Sequence, residues 1–183
     1  MSLYWITGIA GSGKSTVLRE LKDRGYEAYD VDEAGPATAK WHHNTTGFVH
    51  PKSSVKQEQR TPEFLASHSW KVPRQEAIEL AQQAREKTIF LGGSIANESE
   101  IQDVFRLVFA LVIDDNILER RLTARASEAS NHWGKNPHEL EQSLAMNHEL
   151  HERYKEFGYV IIDAAQTIDA VIAEILGRIH DGS

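Results

Sequence analysis

The chain has 183 residues, of which 40% are hydrophobic and 26% charged. That balance argues for a folded domain with a proper core and against disorder, and the length suits one domain over residues 1–183. It contains no cysteine, which excludes disulfides and thiolate metal sites, and its net charge of −7 disfavours nucleic acid as a partner. No apolar run reaches the length of a membrane span, and the N-terminus lacks a basic stretch before an apolar one. A cytoplasmic protein with no membrane partner, monomer or homodimer, is the expectation.

Leu3 to Thr7 is a short apolar run suited to a buried strand. It feeds Gly8-Ile9-Ala10-Gly11-Ser12-Gly13-Lys14-Ser15, which has the spacing G-x-x-x-x-G-K-[ST] of the P-loop. Glycines let backbone N–H groups reach phosphate oxygens, and a following helix aims its positive dipole end at the same anion. Lys14 adds a mobile cation for the terminal phosphates, and Ser15 offers a hydroxyl to Mg²⁺. Ser15 to Arg24 carries Val17, Leu18 and Leu21 on one helical face, with Thr16 in the first turn and Gly25 as a stop.

Glu27 to Asp32 reads as a second strand ending in two carboxylates. Asp30 and Asp32 are alternate residues, so they share a face that is either a cleft wall or a turn cap before Gly35-Pro36. In the first case one holds Mg²⁺ and the other accepts a proton, with Asp32 preferred for both. Residues 35–66 lack periodicity, and so long an irregular segment is usually a lid or binding subregion. Between residues 35 and 74 lie Lys40, Lys52, Lys56, Arg60, Lys71 and Arg74 against Glu58 and Glu63. This local basic region suggests an anionic ligand or a solvated surface. At its end, Trp70 and Arg74 are positioned either to contact an acceptor or to pack.

Pro73 opens a helix to about Glu86 with Ala77, Ile78, Ala81 and Ala84 inward, followed by a third strand at 88–91. That strand runs into Gly92-Gly93, which permits close backbone approach of a substrate, and it lacks the acidic end of a Walker B element. Asn97 and Glu100 have capping-box spacing for a short helix. Leu107 to Ile113 is a continuous apolar strand; Asp114 then either mimics Walker B or, with Asp115, caps the next helix. On that helix Arg121 and Arg125 are four apart and project together, to grip phosphates or to pair with Glu119 and Glu128. A polar stretch leads to a helix from Asn136 to Phe157. On it His148 and His151 read as exposed histidines rather than a metal pair. A fifth strand at 159–162 and a helix at 168–179 close the chain.

Strands apolar on both faces that alternate with helices imply a parallel sheet covered on both sides, a three-layer α/β fold. In such sheets ligands gather at the carboxyl ends of the strands, where Gly8–Ser15, Asp30, Asp32, Gly92, Gly93, Asp114 and Asp163 all fall.

On these residues the chain resembles the P-loop small-molecule kinases, the nucleoside monophosphate kinase and shikimate kinase group. The resemblance rests on Gly8–Ser15, Asp30-x-Asp32, Gly92-Gly93, Arg121-Leu-x-x-Arg125 and Asp163-Ala164-Ala165. It implies a P-loop kinase fold whose five-stranded parallel sheet is ordered 2-3-1-4-5. It also implies an acceptor region at about 35–74, a lid at about 125–136, and Ala164 and Ala165 near the adenine. ATP and Mg²⁺ are the implied cofactors, with a small acceptor as the second substrate. The ATP side is then Gly8, Ala10, Gly11, Ser12, Gly13, Lys14, Ser15, Thr16, Arg121, Ala164 and Ala165. The catalytic set is Lys14, Asp32, Arg121 and Arg125, and Ser15 and Asp32 serve the metal. The acceptor side is Asp30, Asp32, Arg60, Trp70, Arg74, Gly92 and Gly93. A nucleoside monophosphate or nucleoside is the first expectation for the acceptor, because of the basic segment. A shikimate kinase-like hydroxyl acceptor is the alternative, because of the paired aspartates. An ATP-hydrolysing regulatory or binding module is a rival of another class.

Overall fold

Leu3-Tyr4-Trp5-Ile6 alternates its side chains between two cores, and that alternation fixes the layering of the domain. The computed structural model describes residues 2–51, 54–126 and 137–181. The first strand, β1 (Leu3–Gly8), is buried along its whole length. Tyr4 and Ile6 join one core with Val17, Leu18, Leu21, Phe90 and Phe109, while Leu3 and Trp5 join the other with Val31, Leu80, Leu91 and Phe105. Period-two alternation sends successive residues to opposite faces, so a fully buried strand must be covered on both sides.

The covering elements follow in chain order. They are α1 (Lys14–Asp23), β2 (Glu27–Asp30), β3 (Lys40–His43), α2 (Pro62–Ser67), β4 (His68–Lys71), α3 (Arg74–Gln83) and β5 (Ile89–Gly92). Then come α4 (Glu98–Ile101), β6 (Leu107–Val112), α5 (Asp115–Ala126), α6 (Pro137–Glu156), β7 (Val160–Asp163) and α7 (Ile168–Asp181). The main sheet runs β2-β5-β1-β6-β7, all parallel, which is the expected 2-3-1-4-5 when its own strands are counted. Its register pairs Ile6 with Gly92, Asp30 with Gly92, and Val112 with Asp163, so these strands end together. Side chains from α1, α5 and α7 fill the first core, and those from α3 and α6 enter the second. Among the described residues no helix is long and apolar enough to cross a membrane.

Two local expectations change. The segment read as irregular contains β3 and α2, and β3 pairs antiparallel with β4, Trp41 opposite Trp70 and His43 opposite His68. Four-residue strands whose partner lies so far along the chain carry little local signal, because the pairing itself stabilises them. The capping box is not made either. Asn97 has no side-chain cap bond, is buried, and accepts from the Val72 N–H at 3.2 Å while donating to the Val72 carbonyl at 2.9 Å. Glu100 instead accepts from Lys71 at 3.2 Å. Burial selected the amide for a cross-chain clamp that spacing alone cannot reveal.

Candidate active site

The turn from β1 into α1 is built on backbone geometry. Gly13 sits at the head of α1 with φ 104°, and no side chain caps that helix end. An L residue is strained there, and the uncapped first-turn N–H groups stay directed at whatever lies above. No acidic residue occupies the first turn to compete for the helix dipole. Gly8 has φ 148°, and a Cβ on it would lie 2.7 Å from the Leu111 carbonyl oxygen. The loop is thereby packed directly against β6.

An open cleft of about 840 Å³ lies over this loop. Ala10, Gly11, Ser12, Gly13, Lys14, Ser15 and Thr16 form its floor. Lys14 donates to the carbonyls of Gly8 at 2.7 Å and Ile9 at 2.9 Å, which keeps its ammonium over the loop. Arg121, on α5, donates to the Ser12 carbonyl at 3.3 Å and the Ala164 carbonyl at 2.9 Å. Its guanidinium thus spans from the loop to the turn after β7. Ala164 is buried and lines the cleft, whereas Ala165 is exposed and Gln166 and Ile168 take the adjoining wall. The Arg125 side chain and lid residues 127–136 lie outside the described residues.

The two aspartates line the cleft as well. Asp30 Oδ2 accepts from the Ser15 hydroxyl at 2.9 Å, and its Oδ1 accepts from the Asp32 N–H at 3.0 Å. Asp32 Oδ1 accepts from the Trp70 indole N–H at 2.8 Å. The Ser15–Asp30 pair is a hard oxygen donor set of the kind that would hold Mg²⁺, a cation that is ordinarily bound by one or two protein oxygens together with phosphates and water. Among the described residues no group of three or more His, Cys, Asp or Glu could hold a metal unaided, so a cation here would depend on those phosphates. The partner of Ser15 is Asp30, where the sequence favoured Asp32.

The cations expected on the acceptor side are placed elsewhere. Arg74 forms a two-pronged pair with Asp103 at 2.7 and 2.5 Å and donates to the Glu100 carbonyl. That contact raises its own pKa and holds the Asp103 carboxyl low. Lys71 pairs with Glu100 and Lys40 with Glu76. Arg60 lies 5.6 Å from the centre of the Trp41 ring, and Trp70 packs on the same ring at 5.1 Å. None of Arg60, Trp70 and Arg74 lines the cleft. Gly93 lines it, but a Cβ there would lie 2.3 Å from Val31 Cγ2; on Gly92 it would lie 2.9 Å from the Ile6 carbonyl oxygen. Internal packing therefore accounts for both glycines.

Reading the sequence missed Arg19, Gln166 and Ile168, which line the cleft together with Ser94 of the strand end at Gly92-Gly93-Ser94. Arg19 follows Ser15 by four residues on α1, a spacing that places it one turn above the hydroxyl and was a usable signal. Ser94 donates to the Gly8 carbonyl at 2.8 Å, a contact with no local signature. Asp114 accepts from the Asn116 N–H at 2.9 Å, so it caps α5. His148 donates to Asp115 at 2.7 Å on the surface.

No family model matches the sequence, and no curated protein matches it. Solved structures do. A sugar kinase from Janibacter sp. is 18% identical, with a TM-score of 0.54 over 97% of this chain and 93% of that one. A gluconokinase from Sinorhizobium meliloti is 16% identical, with a TM-score of 0.52 over 100% and 97%. A deoxyadenosine kinase from M. mycoides, solved with bound dATP, is 13% identical, with a TM-score of 0.50 over 97% and 99%. The chain has the fold of the P-loop small-molecule kinases.

Proposed function

We propose that this protein is an ATP- and Mg²⁺-dependent phosphotransferase whose acceptor presents a hydroxyl group, as a nucleoside or a sugar-like metabolite does. The observation that carries the reading is the division of charge in the cleft. Lys14, Arg19 and Arg121 line it with the uncapped α1 terminus, and Asp30 and Asp32 line it too, Asp30 against the Ser15 hydroxyl. Phosphoryl transfer is chiefly a matter of positioning and of neutralising charge that develops on the transferred group.

In this reading the loop N–H groups and the α1 terminus bind the phosphates, and Lys14 and Arg121 leave their carbonyl partners to meet them. Ser15 and Asp30 hold Mg²⁺, which, when bound, screens the phosphate oxygens. Asp32 accepts the proton of the acceptor hydroxyl as its oxygen attacks the terminal phosphorus, and ADP leaves. A phosphate acceptor carries its own anionic nucleophile and needs free cations more than a base. Arg74, Lys71 and Lys40 are engaged in ion pairs, which weakens the case for a nucleoside monophosphate that the basic segment made.

The test is ADP release from ATP and Mg²⁺ across a panel of nucleosides, sugars, hydroxy acids and nucleoside monophosphates. A hydroxyl compound should accelerate a slow basal rate. Acceleration by monophosphates alone would overturn the acceptor assignment, and acceleration only by a protein partner would replace the kinase with a regulated ATPase.

A further inference from the structure

Asp30 and Asp32 are two residues apart, share one chemistry and line one cleft, so something must keep them in different jobs. Asp30 is joined to the Ser15 hydroxyl, and Asp32 is joined to the indole of Trp70. An indole N–H can only donate, and it cannot ligate a cation. The Asp32 oxygen held by it has a donor other than the Ser15 hydroxyl that Asp30 meets. We propose that Trp70 is the positioning residue that reserves Asp32 for the acceptor hydroxyl, apart from the Ser15–Asp30 pair. The proposal rests on the reading of Asp32 as the base.

The indole is well placed for that work because its main chain is pinned on both sides. The Trp70 carbonyl accepts from the Ala96 N–H at 2.8 Å. Two residues on, both backbone groups of Val72 are bonded by the buried Asn97 amide, and between them Lys71 reaches Glu100. The ring itself packs on Trp41 across the β3–β4 pair. β4 is thereby docked on the β5–α4 connection, which starts at the same end of the sheet as the P-loop. A backbone fixed in this way presents the N–H at one place, and an orienting contact requires that.

Trp70→Phe keeps the ring packing and removes the N–H. With the panel hydroxyl compound that accelerates ADP release, it should lower kcat about tenfold or more, the scale of a lost hydrogen bond to a charged group. KM for ATP should stay within about twofold, since uniform binding is untouched. A second measurement needs neither an acceptor nor a stable Trp70 variant. In the ¹⁵N-labelled chain at one fixed pH the Trp70 indole resonance should move in Asp32→Asn, which exchanges its carboxylate acceptor for an amide. An unchanged kcat in Trp70→Phe, or an indole resonance indifferent to Asp32→Asn, overturns the proposal. If Asp32→Asn retains full turnover while the indole resonance moves, the contact stands and the base assignment fails instead.

Discussion

Ser15 and Asp30 meet at 2.9 Å, hydroxyl to carboxylate, although one opens α1 and the other closes β2. The contact brings the last residue of the P-loop to the edge strand of the sheet and sets Asp30 against the hydroxyl. Asp30→Asn should raise the Mg²⁺ concentration for half-maximal ADP release by about 10–100-fold. Asp32→Asn should instead lower kcat by about 10²–10⁴-fold at saturating Mg²⁺, the usual contribution of a general base. Steady-state titrations of both variants check this, and an exchange of the two phenotypes would reverse the roles.

Lys14→Ala should lower kcat by about 10²–10³-fold, the scale for losing one preorganised donor to developing charge. The fold should survive, because the lysine's bonds to the Gly8 and Ile9 carbonyls lie within the loop itself. Kinetics together with circular dichroism decide it. Unchanged turnover would remove the P-loop from the reaction.

Gly93 is held small by Val31, whose Cγ2 lies 2.3 Å from where a Cβ would stand. Gly93→Ala should therefore cost about 1–3 kcal/mol of stability by overpacking. The double variant with Val31→Ala should lose less than the sum of the two single changes. Denaturation midpoints supply the cycle. Strict additivity would show that Gly93 is required for something other than this contact.

Glu98 is largely buried, and desolvation raises its pKa against the opposing pull of the Thr7 hydroxyl, which donates to it at 2.8 Å. A carboxyl raised in the folded state binds its proton more tightly there than in the unfolded chain. Its stabilising contribution is complete below the unfolded value of about 4.3 and is lost as pH rises towards the folded value. In that window the wild type should lose up to about 1.4 kcal/mol per pH unit from this group. Glu98→Gln should flatten that part of the curve and be the more stable chain at neutral pH. Urea denaturation at several pH values measures both slopes.

Much of the fold is legible in the chain because its signals are local. The buried strand, the glycine-rich turn and the amphipathic α1 occupy Leu3 to Asp23 without interruption, and the alternation of strands and helices prescribes a parallel sheet. The donor side of the cleft is legible for the same reason, since Gly8–Ser15 is one continuous segment. Asn97, Gly93 and Arg74 were read by local rules as cap, substrate approach and acceptor cation. Each takes its place from a residue far along the chain: Val72, Val31 and Asp103.

The sequence by itself determined that this chain builds a phosphate-binding loop at the head of a helix on a parallel sheet. Backbone conformation and dipole direction follow from residues adjacent in the chain. Only the tertiary structure decided which carboxylate meets Ser15, which is held by Trp70, and that Lys40, Lys71 and Arg74 of the basic segment pair with Glu76, Glu100 and Asp103. Hydrogen bonds and ion pairs act over a few ångströms of space, whatever the number of residues between the partners, so their pairing is settled when the chain packs.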